Sequence, residues 1–274
     1  MPSDEELNEY YANKYYQMGK GSYSTEYSKE EVDYFLLKAR LIYLKATQLK
    51  NIQKGNQLID IGCGEGWIMN EFYSHNLSVT GLDFSKHGLE KFHPHLLPYF
   101  EQGNIFEKLQ KVLLEDNLFD IVILANVIEH VKEPIILLEK IKKCMRKGAM
   151  LIIVVPNDFS SLHHILMEKK IITEEFWLCY PDHLSYFNYK SMINLLSDLG
   201  FKLLSTVSDN PIDLNLLNDN SNYIKDPDKG KKTHMFRVRM DNFLASIDIE
   251  KLLIIYETLG SMGVGRDLTY YCSI

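Results

Sequence analysis

The sequence predicts a doubly wound α/β sheet, on three observations. From residue 57 onward, short apolar runs alternate with segments of helical period. The runs are continuous rather than alternating, which suits strands buried on both faces of a parallel sheet. The first of them, Leu58-Ile59-Asp60-Ile61, stops in a glycine-rich turn, Gly62-Cys63-Gly64-Glu65-Gly66, and the next ends in a single acid, Gly81-Leu82-Asp83. Such alternation of strand and helix closes most simply on a mostly parallel sheet with helices on its faces.

Taken in order, residues 1–30 carry many tyrosines with Asn, Glu and Ser but no sustained period, and read as an irregular or partly helical arm. In 30–49 the residues Val32, Phe35, Leu36, Ala39, Ile42, Tyr43 and Ala46 fall at helical spacing, an amphipathic helix. Strands are expected at 57–62, 78–83, 99–103, 119–126 and 149–156, and helices at 66–74, 85–92 and 134–145. The last of these opens on Pro134 and should end near Gly148, the usual punctuation. A helix over 190–199, closed by Gly200, feeds a strand at 201–207, and a final strand lies at 268–272. The histidines His163 and His164 sit on a further helix and cannot share one face, so surface or structural roles are expected for them.

Between the last two strands, residues 208–265 have another texture. An Asn- and Asp-rich first half reads as loop, and 234–245 and 249–259 read as two helices. There are too few apolar residues here for a separate core. The expected organisation is an arm and helix over 1–50, a sheet domain over 51–207 plus 266–274, and an insertion over 208–265 that serves as an acceptor cap or a dimer contact.

Composition narrows the function classes. A formal net charge of −7 argues against a general nucleic-acid binder, which needs a basic face. The one dense basic stretch, Lys229-Gly230-Lys231-Lys232, reads as a solvated loop. Cys63, Cys144, Cys179 and Cys272 have neither metal nor redox spacing, which fits reduced thiols. The amino terminus is acidic and polar, unlike a signal peptide. The longest apolar stretch, from Ala149 to Pro156, is too short for a bilayer span. A cytoplasmic protein without a membrane partner is expected.

The glycine turn carries the chemistry. A ligand laid across the carboxyl ends of parallel strands needs glycines where the backbone comes closest, and an acid one strand over can grip a ribose. Gly62, Gly64 and Gly66 supply the first and Asp83 the second. Dinucleotide sites use G-x-G-x-x-G, with the third glycine bringing a helix to a pyrophosphate. Here the spacing is G-x-G-x-G, and Asp60 stands just before it. An acid there repels a pyrophosphate and suits an ammonium group, so a cationic ligand without phosphate fits better.

Asp60-Ile61-Gly62-Cys63-Gly64-Glu65-Gly66 resembles the first motif of the class I S-adenosylmethionine-dependent methyltransferases. The resemblance covers roughly residues 55–207 and the last strand. It implies a Rossmann-like seven-stranded sheet with its last strand antiparallel, a helical amino-terminal lid, and S-adenosylmethionine as cofactor with S-adenosylhomocysteine as product. It further implies that Asp83 holds the ribose, that Phe84 lies against the adenine, and that Gln102-Gly103-Asn104-Ile105 runs along the adenine edge. Many members have Asp where this chain has Asn104; its amide oxygen can still accept from an adenine amino group. The stretch 119–131, with Asn126 and Glu129-His130-Val131, resembles the family's fourth motif and its loop, in the branch similar to quinone and sugar methyltransferases. Asn126 is either a ligand contact or a satisfied turn residue. Tyr10, Tyr11, Tyr15 and Tyr16 either form an aromatic lid over the sulfonium or pack the arm.

Methyl transfer from a sulfonium is an in-line displacement, so placement of the acceptor matters most, and a hydroxyl acceptor must also lose its proton. Neutral histidine is the natural base. His183, in Asp182-His183-Leu184-Ser185-Tyr186, is the preferred base, with Asp182 or Tyr186 assisting. His130 follows the strand at 119–126 and either acts on the acceptor or closes the loop. Glu129 beside His130 raises a metal-assisted alternative, but no further acid or amide stands at ligand spacing, so no metal is expected. In the insertion, Asp213, Asn222, Tyr223, His234, Arg237 and Arg239 could read a hydroxyl-rich or anionic acceptor or line a homodimer.

The expectation is thus methyl transfer to a hydroxyl of a small acceptor, a sugar or glycan precursor ahead of a phenolic or quinone-like metabolite. Two other classes compete. A nicotinamide-dependent oxidoreductase is disfavoured by Asp60 and the glycine spacing, and a cofactor-binding module without catalysis would lack a base.

Overall fold

The fold was taken from a computed structural model, which describes residues 26–115, 117–180 and 182–274. Seven strands form one sheet in the order β3-β2-β1-β4-β5-β7-β6. In chain order they are β1 (Gln57–Ile61), β2 (Ser78–Asp83), β3 (Phe100–Gln102), β4 (Phe119–Ala125), β5 (Met145–Pro156), β6 (Lys202–Ser208) and β7 (Asp267–Ser273). β1 runs parallel to β2 and β4, β2 parallel to β3, and β6 antiparallel to β7. β1, β4 and the Ala149–Pro156 part of β5 are largely buried, which is why they read as mostly apolar runs. The chain divides into two compact units, one reaching to Ala125 and including Ile136–Met150, the other made of Asn126–Ile135 and Leu151–Ile274.

In the first unit, helix α1 (Lys29–Leu49) starts where the sequence supplies a reciprocal cap. The Ser28 side chain accepts from the Glu31 backbone N–H, and the Glu31 carboxylate accepts from the Ser28 backbone N–H. The unit also holds α2 (Trp67–Ser74), α3 (His87–Phe92), α4 (Ile105–Leu114) and α5 (Pro134–Lys143, of which the residues from Ile136 belong here). Helix α4 was not foreseen, because the residues after Gly103 were read only as an adenine-edge loop. Asn104 caps it, its Oδ1 accepting from Phe106 N–H at 2.9 Å, and Ile105 and Leu109 turn into the core.

One boundary differs. Helix α5 ends at Lys143, not at a glycine, and β5 begins at Met145. Gly148, expected as the helix stop, lies inside β5 with φ 73°. Arg146, Lys147 and Gly148 are exposed, so this end of the strand carries no apolar signature.

The second unit adds α6 (Ser161–Glu168), α7 (Tyr189–Asp198) and the long α8 (Gly230–Ser261). The two helices expected in the insertion are the two halves of α8, which leaves helical geometry at Asp248 (φ −164°, ψ 100°). The Asp248 carboxylate accepts from Lys251 N–H at 3.0 Å and so caps the second half. The basic stretch at 229–232 is not a loop: α8 opens at Gly230 and carries Lys231 and Lys232 on its first turn. Gly260 lets the second half of α8 lie against β6, since a Cβ there would fall 2.5 Å from the Thr206 carbonyl oxygen. No helix among the described residues is long and apolar enough to cross a membrane. The tyrosines Tyr10, Tyr11, Tyr15 and Tyr16, and with them the expected lid, lie outside the described residues.

Candidate active site

The glycine turn follows β1 directly. Gly62 and Cys63 donate their backbone N–H groups to the Leu82 carbonyl at 2.7 and 3.0 Å, which ties the turn to the end of β2. Gly62, Gly64 and Gly66 have φ of 75°, 53° and 81°, the left-handed region. At Gly66, which caps α2, a side chain is excluded twice, because a Cβ would also stand 2.4 Å from the Leu89 Cδ1. The loop is braced from outside as well. The Glu65 carboxylate accepts from Tyr27 OH at 2.9 Å and from Trp67 Nε1 at 2.6 Å, within a cluster of Tyr27, Phe35, Trp67 and Phe92 rings.

Asp83 ends β2 and is buried. Its Oδ2 accepts from Gly64 N–H at 2.9 Å and its Oδ1 from Ser85 N–H at 3.0 Å. Burial raises its pKa, and the N–H groups of Ser85, Gly64 and Phe84 oppose the shift. Each carboxylate oxygen keeps a further lone pair for a ligand hydroxyl. Asp60 is buried too, pushed up to about 7 by burial and by the neighbouring Asp83 charge. Its Oδ1 has no hydrogen-bond partner. A buried carboxylate oxygen without a donor is costly, and a cationic or hydrogen-bond-donating ligand would relieve it. The Cys63 thiol is pushed well up by burial and then by Asp60 and Asp83, so it stays protonated and acts as a small apolar wall.

Further round this unit, Phe84 is half-buried and its carbonyl accepts from Gln102 Nε2 at 2.9 Å. Asn104 is half-buried, and its Oδ1, the atom expected to meet an adenine amino group, already carries the Phe106 N–H. Ile105 is buried beside it at the start of α4. These residues form a set that can seat an adenosine-bearing cation: positive-φ glycines for close approach, a carboxylate for the ribose and an unsatisfied buried carboxylate.

In the second unit, Asn126 adopts φ 53° and donates its N–H to the Val154 carbonyl at 2.9 Å, while its side chain is exposed. Next comes a single 3₁₀ turn, Ile128–His130. The Glu129 carbonyl accepts from Leu184 N–H at 2.8 Å and Ser185 N–H at 3.0 Å, so the two histidine segments are clamped together by backbone. The His130 and His183 rings stand 4.9 Å apart, edge to face.

His130 Nδ1 lies 2.7 Å from the Asp182 carbonyl oxygen. A carbonyl only accepts, so Nδ1 carries the hydrogen and Nε2 is left as the basic nitrogen. Burial lowers the pKa of His130, partly offset by Asp182. Burial and then the His130 charge bring His183 down to about 4. Both rings are therefore neutral near pH 7. Glu129 is 1% exposed and pushed up to about 8 by burial, with Asp267 and Asp158 adding to the shift.

Glu129, His130 and His183 each offer one ligand atom within 4.8 Å of the others, a set that could hold a metal ion. Sequence spacing concealed it, because the third member comes from the distant segment after Cys179.

Sequence reasoning also passed over Asp158 and Arg266. Asp158 stands two residues past the end of β5, a strand-end position that was itself the available signal. Arg266 Nη1 donates to its Oδ1 at 3.2 Å, and His183 Nδ1 lies 3.9 Å from its Oδ2. Burial pushes Asp158 up to about 6 against the Arg266 charge.

The insertion residues read as acceptor contacts are largely committed within their own unit. Asp213 is 1% exposed and accepts from His163 Nε2 at 2.9 Å and from Tyr223 OH. Asn222 is fully buried and donates to the Leu216 and Ile171 carbonyls. Arg237 reaches His234 Nδ1 at 2.9 Å and Asp209 at 3.8 Å. Of the two adjacent histidines on α6, His163 is buried and structural and His164 is exposed.

A family model described as a methyltransferase domain matches residues 31–206, well over half of the chain. The chain belongs to the class I S-adenosylmethionine-dependent methyltransferases. Enzymes of that family take their methyl group from S-adenosylmethionine.

Among curated proteins, this methyltransferase is 27% identical over 96 residues to a ubiquinone biosynthesis O-methyltransferase of Vibrio cholerae, covering 34% of this chain and 39% of that one. It is 30% identical over 101 residues to the protein of the same name from Rickettsia typhi, covering 37% and 38%. The match thus spans about two-fifths of those relatives' length. Among solved structures, a SAM dependent methyltransferase from Archaeoglobus fulgidus superposes with a TM-score of 0.54 at 19% identity, over 90% of this chain and 95% of that one. At that identity the likeness is one of fold.

Proposed function

We propose that the enzyme moves the methyl group of S-adenosylmethionine to a hydroxyl oxygen of a small acceptor, with a phenolic or quinone-like ring ahead of a sugar. The observation that carries this reading is the pair of clamped, neutral histidines with one tautomer set by the Asp182 carbonyl. The name shared by the relatives, ubiquinone biosynthesis O-methyltransferase, supports the oxygen and the ring. The case for a sugar rested on polar insertion residues, and Asp213 and Asn222 are spent on internal hydrogen bonds.

In this reading Asp83 holds the ribose hydroxyls, Asp60 faces the amino-acid end of the cofactor, and Gly62, Gly64 and Gly66 let the backbone approach it. Phe84 and Ile105 wall the adenine, with Asn104 at its edge. Bound cofactor supplies a methyl group on a sulfonium, already activated for displacement. His130 Nε2 would take the proton of an acceptor hydroxyl whose oxygen is methylated. His183, its pKa drawn down to about 4 chiefly by burial, orients the acceptor beside it. Holding donor and acceptor in line supplies the larger share of the acceleration.

The test is an acceptor screen read by mass spectrometry, with catechols, hydroquinones and free sugars in parallel. A methylated phenol that forms in the native enzyme and falls at least 100-fold in rate with His130→Ala supports the reading. Full turnover by His130→Ala would remove His130 as base. Asp83→Ala should weaken S-adenosylhomocysteine binding at least tenfold by calorimetry, and unchanged affinity would misplace the ribose acid.

A further inference from the structure

Asp158 stands where the chain leaves β5, in a turn wired from several directions. Asn157 donates its backbone N–H to the Arg266 carbonyl at 2.8 Å, and its Nδ2 to the Gly263 and Gly265 carbonyls at 2.9 and 3.1 Å. The Asp158 N–H donates to the Phe187 carbonyl at 2.7 Å. Phe159 then turns left-handed at φ 49°, a conformation that a bulky residue keeps only where its surroundings impose it. Asp158 itself is 1% exposed. Its Oδ1 accepts from Arg266 Nη1 at 3.2 Å, and the Arg266 guanidinium lies over the Phe176 ring, 5.6 Å from its centre. One carboxylate oxygen is thereby fixed. The other, Oδ2, lies 3.9 Å from His183 Nδ1.

His183 is held as firmly by its backbone. Its N–H donates to the Cys179 carbonyl at 3.0 Å, and the next two N–H groups, of Leu184 and Ser185, both go to the Glu129 carbonyl. The ring is another matter, because Nδ1 is buried and makes no hydrogen bond. A buried ring nitrogen in that state is costly, and Asp158 Oδ2 is an acceptor close at hand. The gap is about 1 Å longer than an N–H···O hydrogen bond, slack of the kind that closes when substrate binds.

We propose that Asp158, braced by Arg266, is the positioning residue for His183: it keeps the ring hydrogen on Nδ1 and so leaves Nε2 as a lone pair for the acceptor. A neutral imidazole carries one hydrogen, and the bond made by one nitrogen decides what the other can do. With Nε2 bare, His183 accepts from a second donor on the acceptor, next to the hydroxyl that His130 deprotonates. With the hydrogen on Nε2, donor would face donor and the acceptor would be turned away. His130 reaches the same tautomer by another route, its Nδ1 donating to the Asp182 carbonyl. The orienting role rests on the oxygen-methylation reading, whereas the tautomer does not.

Long-range proton–nitrogen correlation spectra of the full chain, near neutral pH, read the tautomer directly, with His183→Gln assigning the ring. The expected native pattern has His183 protonated on Nδ1 and bare at Nε2. Asp158→Asn keeps the shape of the side chain, but its amide oxygen stays with the Arg266 donor and its NH₂ group meets His183 Nδ1, so the hydrogen should move to Nε2. Asp158→Ala should lose the Nδ1-protonated form as well. His130 should keep its pattern in both variants as an internal control, and circular dichroism with S-adenosylhomocysteine binding reports folding. A native His183 protonated on Nε2 overturns the proposal, and so does a pattern that Asp158→Asn leaves unchanged. In turnover, Asp158→Asn should lose roughly tenfold or more on an acceptor with adjacent hydroxyls and much less on its single-hydroxyl analogue. Equal losses on the two, or none, overturn the orienting role. Full turnover by His130→Ala would instead remove the proposed base and leave the His183 spectra standing.

Discussion

Replacing Gly66 with alanine isolates what the glycine loop after β1 demands of its backbone. Gly66 sits at φ 81°, and an alanine held there costs roughly 1–2 kcal/mol. The new Cβ would also meet Leu89 Cδ1 at 2.4 Å, with His93 Nδ1 at 3.6 Å and Leu96 Cδ1 at 3.7 Å behind it. Leu89 is fully buried, so its methyl group has no open space to take, and overpacking of this kind costs about 1–3 kcal/mol more. The total is about 2–5 kcal/mol. Gly55 provides the control, with φ 84° and nothing within 4 Å of a built Cβ, so Gly55→Ala should cost only the first part, about 1–2 kcal/mol. Urea denaturation of the two variants measures both losses, and calorimetry with S-adenosylhomocysteine measures the functional consequence. Gly66→Ala should lose at least tenfold in affinity because the cap of α2 and the Gly62–Gly64 backbone shift together, while Gly55→Ala binds as the native enzyme does. Equal destabilisation by the two, or native affinity in Gly66→Ala, would refute the close-approach argument.

Two further outcomes follow from buried charges. Asp60 is pushed up to about 7, so it is largely protonated below neutrality, and a cationic ligand draws it back to the ionised form. S-Adenosylhomocysteine affinity should therefore rise with pH between about 5 and 7, by at most tenfold per unit, with proton release on binding; calorimetry in buffers of different ionisation enthalpy measures it, and Asp60→Asn should flatten it. At Asp213, burial pushes the pKa up, but the His163 hydrogen bond, the Arg266 charge and the Tyr223 hydroxyl outweigh it and hold the carboxylate below its ordinary value. Asp213→Ala leaves His163 buried without that partner and should cost about 3–5 kcal/mol, read by urea denaturation, with S-adenosylhomocysteine binding retained.

Local sequence sufficed for the sheet and for the glycine loop after β1, because both are written over a few residues. A strand buried on two faces reads as a mostly apolar run, as 57–62 and 119–126 do apart from Gln57, Asp60, Asp120 and Asn126. A turn that needs positive φ at Gly62, Gly64 and Gly66 must spend glycines, and the acid at the end of β2 is two residues past a glycine in plain sight. Where local signals were weak, the reading failed: the exposed Arg146-Lys147-Gly148 end of β5 looked like a helix stop, and α4 hid behind its own cap, Asn104. Only the tertiary structure decided how the polar residues are spent. Asp213 and Asn222 looked available for an acceptor and are consumed by His163, Tyr223 and buried carbonyls. His130 and His183 looked like rivals, and the Asp182 carbonyl and the Glu129 backbone make them one assembly with a single basic tautomer settled at His130. The physical reason is range. Backbone geometry and burial periodicity are written over a few residues, whereas the partner of a polar atom, and with it its protonation, depends on which distant segments the core brings together.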